Sequence, residues 1–379
     1  MEVAYISEFD GDRSVFIEVD APGLEHMIKP GDSRSLDDVY CRHILAGTLP
    51  EMMGDTADYE LARSMPITAA VPIGAHMSVP IRREDGSVLG MFCCLSPTPN
   101  KSLNPRDLQV MRVFADIAGK QIASDIDARR LADVKRERIA SLIANKSFGF
   151  AFQPIWDFRA SKPTGFEVLC RFTPQPYRSP DKWFHDAFEV GLGIDLEVAV
   201  LVSALEQLAA FPQDVFLSIN SSPDTILSGH LEKLLEGYDF SRIVLEITEH
   251  APVADYELLL SKLKALRAQG LRLAIDDAGA GYSSLQHIVQ LQPDIIKLDM
   301  SLTRAVDVDP ARRALASALI FFARETGSLM VAEGIETASE LETLQLLGVP
   351  KGQGYFLGRP LDCAGAQSLL RETDMAMAS

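Results

Sequence analysis

Beyond residue 150, several apolar runs end in side chains that an apolar core rejects: Glu167, Asn220, Glu246, Asp276 with Asp277, Lys297, Glu333 and Gln353. From Asn220 onward these positions are separated by 26, 30, 21, 36 and 20 residues, about one strand–helix unit each. If the fold brings them together, five carboxylates converge, and like charges so close cannot all stay ionised without positive charge among them. Carboxylates with the amide oxygen of Asn220 form a hard oxygen donor set, suited to Mg²⁺ or Mn²⁺ rather than to zinc or copper. The donors exceed what one Mg²⁺ takes from protein, which points to two ions. A pair roughly 3.5–4 Å apart suits phosphoryl hydrolysis. Lys297 then orients the attacking water or stabilises phosphoryl charge. The competing reading of each acid alone is a helix cap or loop ion pair, and of Lys297 a counter-ion for Asp299.

The elements that must position these residues follow from pattern. Eight strand-like runs occur at Phe150–Phe158, Phe166–Phe172, Val215–Asn220, Arg242–Thr248, Arg272–Asp277, Asp294–Asp299, Leu329–Glu333 and Gln353–Leu357. Helical patterns such as Tyr256–Gln269 and Ala311–Thr326 fill most gaps. The alternation predicts an α/β fold, a (β/α)8 barrel whose active site lies at the carboxyl ends of its strands. An open doubly wound sheet is the alternative, but no GxGxxG follows a strand. Residues 1–102 read instead as an antiparallel α+β module, with hairpins around Asp10-Gly11-Asp12 and Asp85-Gly86. Between them, residues 104–146 read as one long helix or two in tandem, capped by Asn104 with Pro105 first. Its expected apolar stripe is Leu108, Met111, Phe114, Ala118, Ile122, Ile126, Leu131, Val134, Ile139 and Leu142. A solvated helix face and a dimer seam are its two readings.

Composition narrows the partners. Against 53 Asp and Glu stand 36 Lys and Arg, a net charge of −17, which disfavours nonspecific binding to nucleic acid or anionic lipid. Five scattered cysteines make neither a disulfide framework nor a paired zinc site. The acidic start after Met1 is not a signal peptide, and no apolar run approaches the ~20 residues that span a bilayer. A cytoplasmic protein is expected.

The text around the rim positions resembles the EAL domain, the family of cyclic di-GMP phosphodiesterases. The resemblance rests on Gln153-Pro154-Ile155, Glu167-Val168-Leu169-Cys170-Arg171, Ile219-Asn220 and Leu245-Glu246-Ile247-Thr248-Glu249. It continues through Asp276-Asp277-Ala278-Gly279-Ala280-Gly281, Lys297-Leu298-Asp299, Val331-Ala332-Glu333-Gly334-Ile335-Glu336-Thr337 and Gln353-Gly354-Tyr355-Phe356. It implies a modified barrel with one antiparallel strand, and hydrolysis of cyclic di-GMP to linear pGpG. By the same resemblance, Glu167, Asn220, Glu246 and Asp276 hold a first metal, and Asp276, Asp277 and Glu333 a second. Lys297 contacts the catalytic water, Gln353 positions water or substrate, and Glu249 holds the loop after Asp277. Gln153, Leu169, Arg171, Asp277 and Glu336 fall to substrate binding, with Glu167, Lys297, Glu333 and Gln353 as the catalytic set. The sequence departs from the family at Val168, and more seriously at Ala278 and Ala280, where the family carries Phe and a hydroxyl residue.

Residues 1–125 more loosely resemble a GAF domain, a small-ligand sensor, through Tyr5–Phe9, Tyr40–Gly47 and Gly90–Ser96. The opening helix usual in that family is absent from this sequence. Cys41, Cys93 and Cys94 read as buried strand cysteines or as a redox or chromophore site. The expected organisation is therefore a GAF-like domain at 1–125, a connecting helix at 126–146 and an EAL domain at 147–379, in a homodimer, with an unidentified small ligand for the first. The rivals to a working phosphodiesterase are a cyclic di-GMP receptor that binds without hydrolysis, and a hydrolase of another phosphodiester.

Overall fold

Alternating burial makes strands of Val3–Asp10 (β1) and Arg13–Asp20 (β2), and Gly11, at φ 56°, supplies the left-handed turn between them. Ser33–Ser35 (β3), Met52–Met53 (β4), Ala75–Arg82 (β5) and Val88–Ser96 (β6) complete an antiparallel sheet in the order β3-β2-β1-β6-β5-β4. The computed structural model describes residues 1–378 apart from 84, 248–252, 254, 280 and 281. The chain divides into two compact units, Met1–Leu131 and Ala132–Ser379.

One continuous helix, Pro105–Ala144, occupies the segment in question, and the Asn104 side chain accepts from Arg106 N–H at 3.0 Å. Met111, Ala115 and Ile126 pack with Met77, Val79 and Ile81 from the sheet of the first unit. Ile139 and Leu142 join Phe148, Phe172 and Trp183 in the second. Phe114, Leu131 and Val134 depart from the expected stripe and are 58%, 58% and 62% exposed. At 3.6 residues per turn, Leu131 and Val134 point roughly opposite Met111. Cys41 and Cys93 are buried and Cys94 half-buried, but Cys41 lies on the short helix Tyr40–Leu45 rather than on a strand.

The second unit is a closed barrel. Its strands are Phe148–Asp157 (β7), Lys162–Phe172 (β8), Phe216–Asn220 (β9), Ile243–Ile247 (β10), Arg272–Ala278 (β11), Ile295–Leu298 (β12), Leu329–Ala332 (β13) and Lys351–Gly352 (β14). β7 runs antiparallel to both β8 and β14, and the remaining neighbours are parallel. The eighth strand is shorter and earlier than the sequence pattern predicts. Gly354 turns the chain directly after Gln353, with Leu357 and Gly358 N–H donating to its carbonyl. A Cβ on Gly354 would stand 2.2 Å from the Ile335 backbone, so only glycine permits this approach.

Alternation along the strands stacks the barrel interior in layers. Ile155, Phe216, Val244, Ala274, Ile295 and Val331 form one buried apolar layer. Two residues further stand Glu246, Asp276 and Lys297 on β10, β11 and β12, and Glu333 just past the end of β13.

Candidate metal centre and active site

Register delivers the rim. Gln153 pairs with Glu167 across β7 and β8, and Asn220 with Glu246 across β9 and β10. At the centre is Lys297, 1% exposed, its Nζ 2.8 Å from Glu333 Oε1, 2.9 Å from Glu246 Oε2 and Asp276 Oδ1, and 3.4 Å from Glu167 Oε2. Asp276 Oδ1 lies off the hydrogen-bond direction and accepts no hydrogen bond. Gln353 Nε2 donates to Glu167 Oε2 at 2.6 Å and Glu333 Oε1 at 2.8 Å, while its own Oε1 is buried without a partner. Asp299 is not the partner of Lys297; its carboxylate caps the helix Met300–Thr303 by accepting from Ser301 N–H.

Asp276, Asp277 and Glu333 can each bring one carboxylate oxygen within 4.8 Å of the others, a spacing that suits a shared cation. Asp277 has φ 55°, a left-handed conformation uncommon for a non-glycine residue, so the backbone holds adjacent aspartates in this cluster at some strain. The hard oxygen donors and the two unsatisfied buried oxygens, of Asp276 and Gln353, fit a divalent cation. Glu167, Asn220, Glu246, Asp276, Asp277 and Glu333 are the residues available to hold it.

The electrostatics follow from burial. Desolvation raises Glu246 to about 8, with Glu167 and Asp276 adding to the rise and Lys297 opposing it. Desolvation likewise lifts Glu333 well above the usual carboxylate range. For Lys297, burial alone lowers the ammonium, but Asp276, Glu167, Glu246 and Glu333 outweigh it and hold the group charged. Without metal, the side chain is therefore a cation and not a base.

Ser218 escaped the sequence reading. It is 1% exposed and donates to Glu246 Oε1 at 2.5 Å. Its signal was available: it lies two residues before Asn220 on the same face of β9. Leu169, Arg171 and Asn220 line a hollow of about 420 Å³ together with Phe184 and Glu197. Arg171 is exposed and donates to the Cys170 carbonyl. Glu336 is exposed and ion-paired with Arg304. Glu249 and Ala280 lie outside the described residues, and Ala278 is fully buried.

The first unit holds a narrow, largely apolar cavity of about 40 Å³, lined by Tyr5, Phe16, Tyr40, Ile73 and His76, with Arg34 its only formally charged lining residue among the described residues. His76 is 2% exposed with Nδ1 unpartnered, and burial lowers it to about 4, so the imidazole is neutral.

Comparison with known proteins matches the EAL domain family over residues 136–360 and the GAF domain family over 3–122. A cyclic di-GMP phosphodiesterase of Pseudomonas aeruginosa, PA2567, is 34% identical over 227 residues, covering 57% of this chain and 39% of the relative. The chain spans less than half the length of the curated relatives it matches. Among solved structures, the PaMucR phosphodiesterase in complex with c-di-GMP superposes with a TM-score of 0.55 at 26% identity, over 61% of this chain and 99% of that one. Klebsiella pneumoniae BlrP1 with manganese and cyclic di-GMP gives 0.51 at 30% identity, over 57% and 56%. Among the described residues, no helix is long and apolar enough to cross a membrane.

Proposed function

This chain belongs to the EAL domain family, and on that basis we propose that it is a metal-dependent phosphodiesterase hydrolysing cyclic di-GMP to linear pGpG in the cytoplasm. The observation that carries the reading is the convergence of four carboxylates on Lys297 Nζ at 2.8–3.4 Å. Divalent cations, two per site and Mg²⁺ or Mn²⁺ by donor chemistry, supply charge stabilisation and lower the pKa of water when bound. Glu167, Asn220, Glu246, Asp276, Asp277 and Glu333 hold them.

The chain's own residues supply the rest. The reaction adds a water oxygen to phosphorus, breaks one P–O bond to a ribose 3′ oxygen and leaves the proton there. Lys297 has three donors and a fixed positive charge, suited to orienting water and stabilising the phosphoryl oxygens. Gln353 holds Glu167 and Glu333 in place through its Nε2 and keeps a buried acceptor oxygen without a partner. Gln153, Leu169, Arg171 and Glu336 contact the substrate, the guanidinium suiting a phosphate. Glu249 braces the loop after Asp277. The barrel acts in a homodimer, and a small, largely apolar ligand in the cavity around His76 regulates it.

The test is chromatography of cyclic di-GMP incubated with the protein and Mg²⁺ or Mn²⁺, with an EDTA control. Metal-dependent pGpG is expected. Tight binding without product would replace the enzyme by a receptor.

A further inference from the structure

We propose that the barrel end opposite the carboxylates carries a second site, which takes a phosphate group. Arg242 immediately precedes β10, and Arg272 opens β11. Arg242 ends the short 3-10 helix Phe240–Arg242, two residues before the interior Val244 and four before Glu246, and on the next strand Arg272, Ala274 and Asp276 share one face. The apolar layer of Val244 and Ala274 therefore separates two arginines from the acidic rim, over four residues or about 13 Å of strand.

Neither guanidinium has a described carboxylate within 4.0 Å, although Asp239 and Asp214 act on Arg242, and Asp294 on Arg272, at longer range. Arg242 is 6% exposed and donates only to neutral oxygens: the carbonyls of Val215, Leu208, Phe211 and Pro212 at 2.8–3.1 Å and Gln213 Oε1 at 3.2 Å. Arg272 is half-buried, lies 4.5 Å from the centroid of the Phe216 ring and donates from Nη2 to the Ser241 carbonyl at 3.1 Å. Its Nε and Nη1 make no hydrogen bond among the described residues, and no described carboxylate lies within 4.0 Å of either guanidinium. Charges this far out of water are ordinarily paired, and desolvation depresses both groups below the usual arginine range.

Both side chains line one hollow of about 340 Å³, with Gln213, Asp214, Ser241 and Lys351. Lys351 pairs with Asp157 at 2.8 Å, and Lys162 stands between Asp214 at 3.6 Å and Asp374 at 3.3 Å. The two guanidinium groups themselves have no described carboxylate within 4.0 Å. A carboxylate ligand balances one of them, whereas a phosphate group, with about −1.5 to −2 charge near pH 7, balances both and matches the free N–H edge of Arg272. The phosphate is either the free ion or the terminal group of a monoester such as a 5′-nucleotide.

The test is calorimetric titration of the full chain in EDTA with sodium phosphate, at ionic strength fixed with chloride. One saturable site is expected, weakened at least tenfold in Arg272→Met. Arg272→Met could also act through misfolding, so Gln213→Glu provides the second variant: it places a carboxylate on Arg242 with little change of shape. It should raise the thermal midpoint while also weakening phosphate at least tenfold. Displacement of phosphate by 5′-GMP in the wild type but not in Arg272→Met would assign the site to a monoester; failure to displace it would assign the free ion. Absence of binding, or equal binding in wild type and both variants, would overturn the site.

Discussion

Lys297 Nζ and Glu246 Oε2 lie 2.9 Å apart inside the barrel, with each residue only 1% exposed. A cation so enclosed by acid is the metal-free protein's own counter-charge, and it makes the rim compatible with folding before any metal arrives. Removing one partner of a buried pair leaves uncompensated charge, typically at a cost of several kcal/mol.

Lys297→Met should therefore lower metal-free stability by about 3–5 kcal/mol. Added Mn²⁺ should restore part of that loss, because a ligand of the folded state stabilises it by mass action. Thermal unfolding in EDTA and in MnCl₂ measures both effects. An unchanged midpoint in EDTA would contradict the counter-charge role.

Asp276→Asn should reduce pGpG formation by about 10²–10³-fold or more, the scale of losing one charge-stabilising group. Cys170→Ser should change the rate little, since burial pushes that thiol up to about 12 and leaves no thiolate near neutrality. Initial rates under saturating Mg²⁺ compare the two. Normal turnover in the Asp276 variant would dismiss the metal assignment.

Ala278→Phe should not improve the enzyme. Ala278 is fully buried in the same cluster as Leu298, Leu302 and Leu319, so a phenyl ring overpacks it at about 1–3 kcal/mol. Melting curves and rates decide the matter together. Faster turnover at undiminished stability would show that the alanine limits catalysis.

His76 sets an acid limit on the first unit. An unfolded chain takes up a proton below its ordinary value of 6.5, whereas the folded imidazole does so only near 4. Protons thus favour unfolding: the stability contribution is complete above 6.5 and is lost as pH falls toward 4, by about 1.4 kcal/mol per unit at most. Hydrogen exchange of β5 and β6 amides, corrected for intrinsic rates, should show this slope in wild type and lose it in His76→Phe. A slope unchanged in the variant would assign the acid sensitivity elsewhere.

Much of this molecule is legible locally. The apolar runs and their polar ends mark the rim residues one by one, because strand period and chemical type are properties of a few adjacent residues. Asn104 and Pro105 announce the helix start in the same way. Four matters are not local. The antiparallel entry of β7 depends on which edges meet when the barrel closes, and the early end of β14 depends on how near the Gly354 backbone comes to Ile335. Whether Lys297 answers Asp299 or four distant carboxylates depends on strand register, and so does the convergence of Arg242 and Arg272 on one hollow without a carboxylate partner. Sequence supplies charges and periods; only closure of the barrel assigns each charge its neighbours, since electrostatic energy depends on distances that the chain order does not contain.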